Sequence, residues 1–276
     1  VLAYEFMRNA LLAGLLVSFA VGLVGTFVVL NRIVFLAGGI AHASYGGVGL
    51  GYLLGLNPAL GAFTFAVASA AVLGTVHQRV RDRADTLIGA LWATGMSLGV
   101  IFLDLSDGYK ADLMSYLFGS ILAIPRADLW LLAGLDVLLA VTAVVLFPHL
   151  VAVSFDPDHA ATAGLPVAGI ALFLHVMVAL TVVMLMRVVG LVLVIALLAI
   201  PTAVAARLTR RITVLIPVAA GCALAFVWVG LVLAYLADLT SGATIVLVAT
   251  TGYGLTSLGR VLHTHRRNLR NPATVS

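Results

Sequence analysis

The sequence predicts an all-α, polytopic membrane protein of eight or nine spanning helices, organised as one domain over residues 1–276. Three observations lead there. The 276 residues are 63% hydrophobic and 9% charged, whereas a soluble domain of this length needs a far larger charged surface. Apolar runs of about 20 residues, enough to cross a hydrocarbon core of ~30 Å as a helix, recur from end to end. The runs are continuous and rich in Leu, Ala, Val and Gly rather than short and alternating. Helices, not a β-barrel, therefore satisfy the backbone in lipid.

In chain order the spans fall at about 9–30, 33–55, 59–78, 86–104, 128–147, 167–186, 189–207, 213–236 and 243–262. The opening run "VLAYEFMRNALLAGLLVSF" lacks a basic region followed by a cleavage site, so it reads as the first span rather than a signal peptide. Residues 113–124 are apolar but too short to cross, and read as a re-entrant or interfacial segment. The basic stretches "HQRVRDR" (77–83), "RLTRR" (207–211) and "RVLHTHRRNLR" (260–270) belong on the cytoplasmic side. An even number of spans separates each from the next, as that requires. Nine spans leave the N-terminus outside; eight would turn it inward. Residues 264–276 form a polar cytoplasmic tail.

Several functions are excluded. The net charge of +4 gathers in the short loops that set orientation, so it does not point to nucleic acid. Cys222 is the single cysteine, which rules out an intrachain disulfide or a cysteine cluster. No G-x-x-x-x-G-K-[ST] run is present, so ATP is not bound through a P-loop, and no H-E-x-x-H marks a zinc protease. A proton-driven secondary transporter needs carboxylates at membrane depth, and the reading places none centrally in a span.

The richest stretch is "GGIAHASYGGVGLGYLLG" (38–55). On a helix, Gly38, His42, Gly46 and Gly49 share one side, flanked by Phe35 and Tyr45. Gly47, Gly51 and Gly55 line the opposite side at the spacing used for close helix contact in lipid. The first row either clears space around His42 or packs as well. An imidazole at membrane depth must face protein or water, and neutral imidazole is the commonest transition-metal ligand. His42 is thus a candidate path residue, with helix glue as the structural alternative. His175 is a second candidate ligand, more readily explained by packing. Asp156-Pro157 opens a short helix carrying Asp158, Ala160 and Gly164 and ending near Pro166. Such a helix, projecting from a membrane domain, suits docking into a soluble partner. Pro201 kinks an otherwise continuous apolar helix, a feature that often borders a pathway.

Together these stretches resemble one family, the ABC-3 permeases of ATP-driven zinc, manganese and iron importers. The matching pieces are "NRIVFLAGGIAHASYGGVGLGYLLG" (31–55), "ADTLIGALWATGMSLGVIFL" (84–103), "DLMSYLFGSILAI" (112–124), "FDPDHAATAGLP" (155–166), "VGLVLVIALLAIPTAVAARL" (189–208) and "LADLTSGATIVLV" (236–248). They stand in family order across most of the chain.

The resemblance implies an importer permease fold in the plasma or inner membrane of a prokaryote. It implies no tightly bound cofactor and no enzymatic activity of its own, with ATP acting only through a partner. The partners implied are a second copy of the chain, two cytoplasmic ATPase subunits, an extracytoplasmic metal-binding protein and the bilayer. Residues 155–166, with Phe155, Asp156, Asp158, Ala160 and Gly164, become the coupling helix that docks on the ATPase. Asp158, Ala160 and Gly164 resemble a degenerate E-A-A-x-x-x-G loop. Many members carry D-x-x-x-H where this chain has Gly38 and His42, so the carboxylate is missing. Phe35, Tyr45 and His175 join His42 as expected path residues and Pro201 as a gate. A permease for a metal chelate such as a siderophore or cobalamin is the alternative, disfavoured by the short chain.

Overall fold

The computed structural model describes residues 4–79, 84–106, 119 and 121–270. Among them are ten α-helices and no strand. The long helices are α1 (Glu5–Leu30), α2 (Val34–Leu53), α3 (Pro58–Arg79), α4 (Ala84–Leu105), α5 (Arg126–Phe155), α7 (Val167–Val189), α8 (Leu191–Leu208), α9 (Ile212–Ala237) and α10 (Ser241–Arg270). The short one is α6 (Pro157–Thr162), and a 3₁₀ turn covers Ile121–Ala123. The nine long helices coincide with the nine expected spans. Seven are long and apolar enough to cross a membrane by length and composition alone. The other two are α2, diluted by glycine and His42, and α10, whose second half is basic.

Contacts between distant helices agree with alternating directions. Glu5 pairs with Arg126 at 2.8 Å, Phe27 meets Phe147 edge-on at 6.4 Å, and Asn31 Nδ2 donates to Ser154 Oγ at 2.9 Å. Helices α1 and α5 therefore run parallel. Arg187 pairs with Asp128 at 3.2 Å, so α7 returns antiparallel to α5. At the opposite end Arg207 bonds to Tyr253, Thr256 and Ser257 and lies 4.1 Å over the Tyr253 ring, tying the end of α8 to α10.

One boundary moves. Helix α5 runs to Phe155, eight residues past its expected end, with Pro148 inside it, and stops where Asp156 caps the next helix. Helix α10 continues to Arg270, into the polar tail. The segment 113–124 lies mostly outside the described residues; its end is the 3₁₀ turn. Between α7 and α8 the chain turns on Gly190 alone, at φ 80° and ψ 163°, a backbone region essentially reserved for glycine.

Candidate translocation site and coupling segment

Helix α2 sits at the centre, packed between α3 and α4 and touching α7 and α8. Its two glycine rows divide between these neighbours. A Cβ on Gly47 would overlap the carbonyl of Gly61, so here the backbones of α2 and α3 touch. On the other side Gly46 and Gly49 meet Gly95 and Gly99 of α4 in the same way. Both rows therefore pack, and the first does not clear space around the imidazole. Gly55 belongs to neither row: it lies beyond the helix in a turn at φ 64°.

His42 lies eight residues into α2, about 12 Å from its start, and is buried. Its Nδ1 is 2.9 Å from the carbonyl oxygen of Gly38. A carbonyl only accepts, so in the neutral ring Nδ1 carries the proton and Nε2 keeps its lone pair. The ring stacks on Trp92 of α4, with centroids 3.8 Å apart and planes at 28°. Trp92 also reaches the space beside Gly38, together with Ile195 of α8, whose Cδ1 is 3.0 Å from where a Cβ would stand. The place of the family's carboxylate is thus filled by apolar side chains. The backbone carbonyl at the same position orients the imidazole instead.

The other expected path residues are distributed more widely. Tyr45 is fully buried, its ring against Gly99. Phe35 shares the face of His42 two turns away but is 71% exposed; the wall beside the imidazole is Trp92, which the sequence reading misses. His175 donates from Nδ1 to the Ala171 carbonyl at 2.6 Å and lies against Gly74 of α3, the geometry of helix glue. Pro201 is buried within α8. Close by, Gly25 of α1 approaches the Leu198 carbonyl and the Thr202 hydroxyl.

The short helix expected after Phe155 forms. Asp156 caps α6, its carboxylate accepting from the His159 amide at 2.9 Å, and Pro157 occupies the first turn. Helix α6 ends at Thr162, short of Pro166. Two bonds close it: Leu165 N to Ala160 O and Gly164 N to Ala161 O, each 3.0 Å. With Gly164 at φ 82°, this is a Schellman closure. Ala160 faces inward and is buried, while Phe155 is exposed. A cavity of about 770 Å³ lies beside α6, lined by Arg32, Ser154 and Asp158 among others.

Residues 3–259 match the ABC 3 transport family. The chain belongs to that family. It is 52% identical over 91% of its length to the uncharacterized membrane protein slr2045 of Synechocystis sp., covering 90% of that protein. It is 34% identical over 92% of its length to the manganese transport system membrane protein MntC of Halalkalibacterium halodurans, covering 87% of it. Its fold is similar to PsaBC from Streptococcus pneumoniae in complex with Fab, with a TM-score of 0.82 and 28% identity, over 92% of this chain and 91% of that one. As an ABC 3 family member it is a multi-span membrane protein, and the all-α assignment holds.

One residue contradicts the sequence reading. Asp136 lies inside the expected span 128–147 and is buried at mid-helix in α5. A lone Asp in "LLAGLDVLLAV" was signal enough, since a charge amid ten apolar or glycine residues is visible without a structure.

Proposed function

We propose that this chain is the permease subunit of an ATP-driven importer of divalent transition-metal ions, with His42 touching the ion in the path. The observation that carries the reading is the fixed imidazole: a ring at membrane depth whose Nδ1–H is taken by the Gly38 carbonyl, which leaves the Nε2 lone pair for an ion. A single imidazole binds weakly, which suits a path that must release what it binds. Imidazole suits zinc and iron, while manganese favours oxygen donors and is held by a lone imidazole more weakly. Manganese is the first of the three to test, because MntC is named for it; the same similarity favours a bare ion over a chelate.

In this reading the chain hydrolyses nothing. Two copies of it form the pathway, two cytoplasmic ATPase subunits supply the energy, and an extracytoplasmic protein delivers the ion. Helix α6 docks on the ATPase through its exposed side and Phe155. Its buried Ala160 seats it on the membrane domain. Nucleotide-driven movement of α6 then shifts the helices between outward- and inward-open arrangements. Pro201 of α8 is the hinge beside α1.

The test is uptake of Mn, Zn and Fe into proteoliposomes holding the complete complex, with native chain and His42→Ala. The expected result is ATP-dependent uptake of one metal, lost in the variant while assembly and basal ATPase persist. Equal uptake by both removes His42 from the path. Uptake of no metal by either moves the chelate reading to the front.

A further inference from the structure

Away from His42 the structure holds a buried group that metal import does not use. Asp136 is ten residues into α5, about 15 Å along the helix and so near the middle of a hydrocarbon core of ~30 Å. It is 5% exposed, the only buried Asp or Glu among the described residues. Neither carboxyl oxygen has a hydrogen-bond partner. It belongs to the buried stripe Leu132, Asp136, Leu139 and Ala143, on a helix that packs against α1 and α7.

The contacts at the helix ends fix what lies level with it. The Glu5–Arg126 and Phe27–Phe147 contacts bring the Leu16 region of α1 to its height. The Asp128–Arg187 pair does the same for Ala179 of α7. The charged and titratable groups of the three helices stand elsewhere. Glu5, Arg8, Arg126, Asp128 and Arg187 cluster at one end and His149 lies toward the other, while His175 of α7, about one turn from Asp136 in level, turns its ring to Gly74 of α3. The hydroxyls nearest in level, Ser18 and Thr181, are bonded to their own helices, to Gly14 O at 2.6 Å and Met177 O at 2.9 Å. An ionised carboxylate here would have neither a counter-charge nor a donor, and burial of such a group is far costlier than burial of the neutral acid.

We propose that Asp136 is a proton-binding site of the membrane domain, occupied while α5 is packed on α1 and α7 and emptied to water when α5 parts from them. The step is a proton transfer alone. The carboxylic O–H bond breaks, water takes the proton, and a hydrated carboxylate remains; repacking reverses it. Helix α5 links this site to the working cycle, because only Asp156 separates it from α6. A displacement of α6 reaches Asp136 along one continuous helix. ATP remains the energy source, and the proton accompanies the movement rather than driving it.

The test uses the permease assembled with its ATPase in lipid nanodiscs. Infrared spectra of the native complex minus D136N, at neutral pH, should show the carbonyl band of a protonated carboxylic acid, shifted in deuterium oxide. An ionised-carboxylate band in its place overturns the proposal. A pH-sensitive dye should then report proton exchange on binding a non-hydrolysable ATP analogue, which avoids the protons that hydrolysis itself releases. That signal should be lost in D136N and kept in D136E. A signal equal in native and D136N complexes also overturns the proposal. Where D136N fails to assemble, D136L serves in both measurements, since an unpartnered buried acid tolerates an apolar replacement of similar volume. Neither readout depends on which ion is carried, so a failure here leaves the importer reading standing.

Discussion

Replacing Gly164 by alanine isolates the closure of α6, the helix proposed to couple to the ATPase. Gly164 is at φ 82°, and nothing lies within 4 Å of the position a Cβ would take. The substitution therefore adds no clash, and its cost is conformational. Holding a residue with a Cβ in the left-handed region costs about 1–2 kcal/mol. The alternative is to abandon that conformation and lose the two closing bonds, from Leu165 N and Gly164 N, each worth about 0.5–1.5 kcal/mol. Either way, α6 is weakened by roughly 1–2 kcal/mol, a factor of about 5–30 in its folded population. A helix of six residues has little stability of its own to absorb that. The assay is metal taken up per ATP hydrolysed in proteoliposomes, beside the thermal midpoint of the purified permease. Gly164→Ala should lower the uptake ratio several-fold and leave the midpoint nearly unchanged, because the opening is local. Gly164→Asn should fall between the two, since Asn enters the left-handed region more readily. Native coupling in Gly164→Ala, or an equal effect of Ala and Asn, would refute the reasoning.

Three further outcomes follow from the packing. Gly47→Val should prevent α2 and α3 from closing, because a side chain there meets the Gly61 backbone; loss of monodisperse permease in detergent checks it. Gly190→Ala should cost about 1–3 kcal/mol at a φ/ψ that only glycine adopts freely, read as a lowered thermal midpoint with uptake per folded molecule retained. Asn31→Ala and Ser154→Ala should each destabilise by roughly 1 kcal/mol and combine non-additively, since the two side chains are bonded to each other at 2.9 Å; a double-mutant cycle on thermal unfolding measures the coupling.

The spans were legible because lipid imposes a simple rule on composition, and the short helix after Phe155 was legible because Asp156 and Pro157 carry its start in two adjacent residues. The partners of α2 were not. Gly47 announces close contact, but that it meets Gly61 rather than Gly95 depends on how four helices are arranged in space. Trp92 escaped for the same reason: nothing in the run "GALWATG" places it over an imidazole fifty residues earlier in the chain. The role of Gly38 is subtler. A family pattern suggests a missing carboxylate, whereas the carbonyl every residue possesses turns out to orient His42. Phe35 shows the limit of helical-wheel reasoning, since it shares the face of His42 yet lies 71% exposed.

Helix α5 has a mechanical consequence. Its 30 residues make an arm about 45 Å long, with α6 at one tip and the Glu5–Arg126 pair at the other. The Asn31–Ser154 bond lies one residue from the tip that joins α6, so it serves as a fulcrum close to the load. A small tilt about that point is magnified along the long side of the lever and arrives as a larger sweep at the outer surface. The exposed ion pair at the far tip is a weak restraint, one that such a sweep can break without stalling.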